Sequence, residues 1–262
     1  MSGRLDAPRH VAQTGQRQYD FDGEAALEGC DAKVKHMKLP DYWMTRPGVD
    51  ADENARTAFD ALLKTALDGG GAPIYYRLPW PKWQFLCHVA DHHGIALHGS
   101  GDPNIALFEP RQPIDLTDFG NQKAIYAASD GLWAMFFAVV DRDRVGSITN
   151  ACIRAAEEPG ALHGPYYVFS VSQSALPGRP WRTGTVYLLP RDAFTSQPPV
   201  AFGSSQIHIA QLAGFAPVQP LAKLTVVPAD FPFLDQIRGH DDARLHEYAA
   251  ALQAGAVWPG DS

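Results

Sequence analysis

The chain has 262 residues, 45% apolar and 19% charged, enough to bury a substantial core as one large domain or a domain with an appendage. A formal net charge of −7 argues against sequence-blind nucleic-acid binding, which needs a basic footprint to displace counterions from phosphates. Gly 23 and Pro 21 predict many loops and short strands, and exclude a coiled coil, a collagen-like chain or a wholly disordered one.

Cys30, Cys87 and Cys152 are odd in number and far apart, with no CxxC pair, so neither a disulfide framework nor a cysteine zinc site is expected. A reducing, cytoplasmic setting is the expectation, and export by a signal-less route is compatible with it. Residues Met1 to Gln18 hold no apolar run and read as neither secretory signal nor membrane anchor. No window reaches the ~18 consecutive apolar residues of a membrane-spanning helix, and no membrane partner is expected.

In chain order, residues 1–45 read as a loosely ordered arm. A helical N-terminal subdomain is expected over 46–93. Its first helix runs from Ala51 to Leu67, with Ala55, Phe59, Leu62, Leu63, Ala66 and Leu67 on one face. Asp50 with Glu53 resembles a capping box, and Gly69-Gly70-Gly71 ends the helix. A strand is predicted over Ile74–Leu78, and a second helix over Lys82–His92, stopped by Gly94. From Gly94 the texture is strand-like: Ile95–His98, Ala124–Ala128, Tyr166–Val171, Thr185–Leu189, Gln206–Ala210 and Lys223–Val227. Asp130 is placed to cap a helix carrying Leu132, Phe136 and Phe137, and Asp241–Gln253 reads as a final helix. Helices followed by many short strands imply an α+β fold.

Most sequence features invite an ordinary explanation. His88 and His92 lie four apart on a helix, which is half of a metal site. Without a third ligand or the Glu of an HExxH motif they read first as structural or surface histidines. Gly69-Gly70-Gly71 follows a helix rather than opening one, the wrong order for a phosphate loop. Ser100 lacks the glycine two positions earlier that a nucleophile elbow requires, because His98 stands there.

Two segments depart from that pattern. Leu97-His98-Gly99-Ser100 puts an imidazole at a strand end beside a bare backbone, and Lys123 to Phe137 combines a Tyr126-bearing strand with a helix whose Phe137 follows eleven residues later. Together they resemble the first two signatures of the ADP-ribosyltransferases of the diphtheria-toxin and poly(ADP-ribose)-polymerase branch. The resemblance covers about Gly94 to Pro228 and extends to no family over 1–90. It implies a split antiparallel β-sheet core within a catalytic domain over 94–262. The family's third element, a Glu at a later strand start, falls on Gln211, with Gln206 as the lesser alternative.

By that resemblance NAD is the substrate and no metal is needed. His98 would hydrogen-bond a ribose hydroxyl, the Gly99 backbone would pair with the carboxamide, and Ser100 would complete the motif. Tyr126 and Phe137 would sandwich the nicotinamide, so that His98, Tyr126 and Phe137 line one cleft. Gln211 would keep a hydrogen bond to the reacting ribose but not the charge, which disfavours polymer extension. The implied activity is transfer of single ADP-ribose units to an acceptor macromolecule. NAD hydrolysis and a degenerate NAD-binding or partner-binding module are the alternatives. RNA 2′-phosphotransfer on a related fold, and a metal hydrolase built on His88 and His92, rank last.

Overall fold

The computed structural model describes residues 39–48, 51–113, 117–157, 161–202 and 205–260. The expected arm therefore lies outside the described residues as far as residue 38. From Leu39 the chain is packed: Tyr42 and Trp43 are buried, and β1 (Met44–Thr45) pairs with a central strand.

Helix α1 (Glu53–Asp68) forms because Ala55, Phe59, Leu63 and Ala66 recur on one buried face, although Leu67 stays exposed. The cap is Asp52, whose carboxylate accepts from the Ala55 N–H at 2.7 Å; the expected cap, Asp50, lies outside the described residues. Gly70 and Gly71 adopt φ of +57° and +88°, a left-handed turn that glycine tolerates and that ends the helix. The strand expected over Ile74–Leu78 does not form. Only Pro73 bridges Lys223, and the Ile74 N–H reaches the Lys223 carbonyl. Prolines at 73, 79 and 81 remove ladder donors around it, and Tyr75 is 81% exposed. Helix α2 (Lys82–His92) runs as expected.

The strands follow as β2 (Ile95–Ser100) and β3 (Ile125–Ala128), then helix α3 (Gly131–Val139), then β4 (Ile148–Glu157), β5 (Ala161–Ser172) and β6 (Gly184–Pro190). After these come β7 (Thr195–Ser196), β8 (Val200–Phe202), β9 (Ser205–Ile209), β10 (Gln211–Gly214), β11 (Ala222–Val226), β12 (Arg238–His240) and helix α4 (Leu245–Ala254). They build an α+β fold with two sheets. One has the order β1-β5-β4-β9-β8, with β12 added parallel to β5; the other has the order β11-β6-β2-β3-β10-β7 and is antiparallel throughout.

Strand β4 escapes the alternation rule because its pairing with β5 shifts register between Ile153 and Ala155, so that Cys152 and Ile153 are buried in succession. Helices α1, α2 and α3 share one buried cluster with the facing sides of both sheets, including Leu97, Leu188 and Leu224 of the second sheet and Tyr167 and Phe169 of the first. A separate cluster of Ala96, Phe108, Ile125, Ala127, Tyr187 and Leu212 covers the other side of the second sheet. Among the described residues, no helix is long and apolar enough to cross a membrane.

Candidate active site at the split of the second sheet

The second sheet is nearly divided in two. β2 and β3 share a single residue pair, Leu97 with Ala128. Beyond it β2 continues with β6 as far as Ser100–Thr185, and β3 continues with β10 as far as Ile125–Gly214. The pairs that would come next, His98 with Ala127 and Gly99 with Tyr126, are not made, so the two halves separate at the His98-Gly99-Ser100 segment.

His98 sits at this parting. Its Nδ1 lies 2.7 Å from the Tyr126 backbone oxygen, which can only accept, so Nδ1 carries the proton. The ring stands edge-on to Phe108 at 4.8 Å between centroids. Burial holds the imidazole below its ordinary pKa; the Tyr126 carbonyl opposes this, and Arg111 adds to it. A neutral ring with hydrogen on Nδ1 leaves Nε2 as a lone-pair acceptor, and it has no hydrogen-bond partner among the described residues. An incoming hydroxyl can donate to it.

Gly99 has a structural explanation. A Cβ there would fall 1.9 Å from the Ala134 oxygen and 2.7 Å from the Ala138 nitrogen, and one on Gly184 of β6 would fall 2.0 Å from the Ala138 oxygen. The two glycines let α3 lie directly on β2 and β6. The Ser100 hydroxyl accepts from the Asp102 N–H at 3.1 Å, closing the turn that leaves the strand.

Strand alternation sets where the remaining candidates point. Ile125, Ala127 and Leu212 belong to the cluster with Phe108, so Tyr126 and Gln211 leave their strands on the opposite side, the side of α3. Tyr126 pairs with Ala213 and Gln211 with Ala128, making Tyr126 and Gln211 diagonal neighbours on one face, a separation of roughly 7–8 Å. The Tyr126 hydroxyl is fixed by the preceding turn, donating to the Phe119 oxygen at 2.8 Å and accepting from the Gln122 N–H at 2.9 Å. Phe137 is the one half-buried residue of α3, beside Trp133 and Phe136.

His98, with Ala96, therefore departs toward Phe108, whereas Tyr126 departs toward α3. This differs from the expectation of one shared face. The expectation that His98 lines one cleft with Tyr126 and Phe137 is not met: the His98 and Tyr126 side chains leave opposite faces of the sheet, and the contact between the two residues is from His98 Nδ1 to the Tyr126 backbone oxygen. Gln206, the alternative third element, lies on β9 in the other sheet, paired with Ala156 and Ala201.

Helix α3 is held at its start by an arrangement that spacing does not reveal. Asp130 Oδ1 accepts from the Trp133 N–H at 3.0 Å, while Oδ2 accepts from Arg46 Nη2 at 2.7 Å and from the Tyr167 hydroxyl at 2.8 Å. Arg46 also reaches Asp91, which Arg154 meets at 3.0 Å. Burial, with Asp130 alongside, keeps the Tyr167 phenol protonated far above its usual range. Of the Asp-Arg-Asp-Arg run after α3, Arg144 is spent on the Gly178 and Arg179 carbonyls and Arg142 is exposed.

The histidines of α2 lie elsewhere. His92 lies beside His88 as four-residue spacing implied, 5.1 Å between ring centroids, but the ligand atoms that converge with His88 Nε2 are those of His93 and of Asp60 on α1. Comparison with known protein families, with curated proteins and with solved structures finds no match for the chain.

Proposed function

We propose that the chain is an NAD-dependent ADP-ribosyltransferase of the His-Tyr-Glu type, with Gln211 at the Glu position, transferring single ADP-ribose units. One observation carries the reading. The three segments that carry the resemblance, widely separated in sequence, lie on neighbouring strands: β10 begins with Gln211 and pairs with β3, which carries Tyr126, and β3 in turn meets β2, which carries His98.

In this reading the nicotinamide end occupies the α3 side, between Tyr126 and Phe137, with ring stacking worth about 0.5–1.5 kcal/mol beyond burial. His98 Nε2 accepts from a ribose hydroxyl on the other side. The bond from ribose C1′ to the nicotinamide nitrogen breaks, nicotinamide leaves neutral with the bonding pair, and the sugar passes through an oxocarbenium-like state as in glycoside cleavage. The acceptor adds to C1′ and its proton passes to solvent. Gln211 orients a ribose hydroxyl through a neutral hydrogen bond of about 0.5–1.5 kcal/mol, against about 1.5–3 for a carboxylate, which lowers the rate by roughly tenfold or more without abolishing binding.

The test is incubation of the purified protein with NAD labelled in the adenylate and with cell lysate. Label on protein or nucleic acid is the expected result. Free ADP-ribose alone would shift the reading to hydrolysis. NAD bound but intact would leave a binding module, the reading favoured by the missing charge at residue 211, and no interaction with NAD would overturn the proposal.

A further inference from the structure

The geometry points to a second site, independent of the nucleotide reading: a divalent transition-metal site formed by Asp60, His88 and His93, with Zn²⁺ as the ion that fits it. Asp60 Oδ1, His88 Nε2 and His93 Nε2 all lie within 4.8 Å of one another. Both ring nitrogens approach the same carboxylate oxygen at 2.6 Å and stand 3.2 Å apart.

The convergence has a local cause. Residues five apart on an α-helix project about 140° from each other and do not meet. His93 is the residue where α2 ends, with φ −121° and ψ 15°, and Gly94 follows at φ +59°. That departure from helical geometry swings the His93 ring back to 5.1 Å from the His88 ring. His88 is itself oriented by packing on Phe59, 5.5 Å between centroids, and is only 8% exposed. Helix α1 then brings Asp60 to the same point.

Hydrogen bonding alone accounts poorly for three groups at one point. If each Nε2 donates to the single Oδ1, two N–H dipoles of like orientation abut at 3.2 Å. A metal ion uses three lone pairs instead. Tetrahedral Zn²⁺ with bonds of about 2.0–2.1 Å separates its ligand atoms by about 3.3 Å. The two imidazole nitrogens already have nearly that spacing, and Asp60 has to withdraw by only about 0.7 Å to reach it. Asp60 is 51% exposed and has room to do so. Two imidazoles with one carboxylate favour a borderline transition metal over Mg²⁺ or Ca²⁺, which take oxygen donors. Three protein ligands leave a fourth position, which faces solvent beside the 32%-exposed His93 and can hold water. The ion would clamp α1 to the end of α2.

The test uses the full chain, stripped with a chelator and titrated with Zn²⁺ by calorimetry, with Co²⁺ as an optical probe and Mg²⁺ as a control. The expected result is one Zn²⁺ per chain, a rise in Tm on binding, and visible Co²⁺ absorption of four-coordinate intensity. His93→Ala and Asp60→Asn change exposed side chains and should leave the fold intact. Each should weaken Zn²⁺ by about 100-fold or more, beyond the roughly 10–100-fold that outer-shell changes cost. His92→Ala should bind as wild type. Zn²⁺ binding that survives both ligand variants, a Mg²⁺ response equal to that of Zn²⁺, or no binding at all would each overturn the proposal.

Discussion

Replacing Asp130 by Asn tests how α3 is held over the candidate site. The change is nearly isosteric and preserves the helix cap, because Asn serves that position as well as Asp does. What it removes is the charge at Oδ2, which accepts from Arg46 at 2.7 Å and from Tyr167 at 2.8 Å with its side chain 2% exposed. A charge-assisted hydrogen bond is worth about 1.5–3 kcal/mol, and breaking a buried ion pair about 3–5. Arg46 is not fully orphaned, since its other guanidinium nitrogen keeps Asp91 and the side chain is partly exposed. The expected loss is therefore about 2–3 kcal/mol. Asp130→Ala should lose roughly a further 1 kcal/mol through the missing cap. Urea unfolding at pH 7.5, followed by tryptophan fluorescence, measures both. Arg46→Met paired with Asp130→Asn in a double-mutant cycle should show coupling. An Asp130→Asn midpoint within about 0.5 kcal/mol of wild type would refute the argument, because such changes belong to surface sites.

Two further predictions concern the site. His98→Ala removes an acceptor for ribose and Tyr126→Ala a stacking face, so each should weaken NAD by about 1–2 kcal/mol in calorimetry, while His92→Ala leaves NAD affinity unchanged; the reverse pattern would move the nucleotide site to α2. Burial depresses the pKa of both His98 and His240, so the unfolded chain takes up protons that the folded chain refuses. Stability should be fully present above about pH 6.5 and fall as the pH drops through and below it, by up to about 1.4 kcal/mol per pH unit for each proton. Asp242, held below the usual carboxylate range by Ser147 and Ser172, adds to the loss at lower pH. Urea midpoints that stay level or rise between pH 7.5 and 5.5 would contradict this, and His98→Gln should flatten the slope.

The sequence shows most where a feature is local. Helix α1 is legible because its apolar residues recur at helical spacing, whereas α2 and α3, which bury most of their residues, are legible from the residues that bound them, Pro81 and Gly94 for α2 and Asp130 for α3. The strand with Leu97 and the strand with Tyr126 are legible as short apolar runs between turn residues. What is hidden depends on distant parts of the chain. β4 carries a register shift that spoils its alternation, and residues 74–78 look like a strand yet bond only at one end to Lys223. The Arg46–Asp130 pair joins residues 84 positions apart, and nothing in either neighbourhood announces the other. Four-residue spacing correctly sets His92 beside His88, but it does not show that a helix ending at His93 and a second helix bearing Asp60 bring their ligand atoms to His88. In the candidate site, the motifs mark His98, Tyr126 and Gln211, but only the sheet topology shows that Gln206 belongs to another sheet and that the His98 and Tyr126 side chains leave opposite faces.

The central claim is that Gln211 stands at the reacting ribose, and the most direct measurement is the rate of nicotinamide release from NAD by wild type, Gln211→Glu and Gln211→Ala under identical conditions. A carboxylate beside the developing sugar cation exceeds a neutral hydrogen-bond partner by about 1–1.5 kcal/mol, so Gln211→Glu should release nicotinamide roughly tenfold faster or more with little change in NAD affinity. Gln211→Ala should lose whatever rate the wild type has. Opposite responses to two substitutions at one half-buried position cannot come from general destabilisation. Equal rates in all three folded proteins would contradict the account and leave residue 211 outside any reacting site.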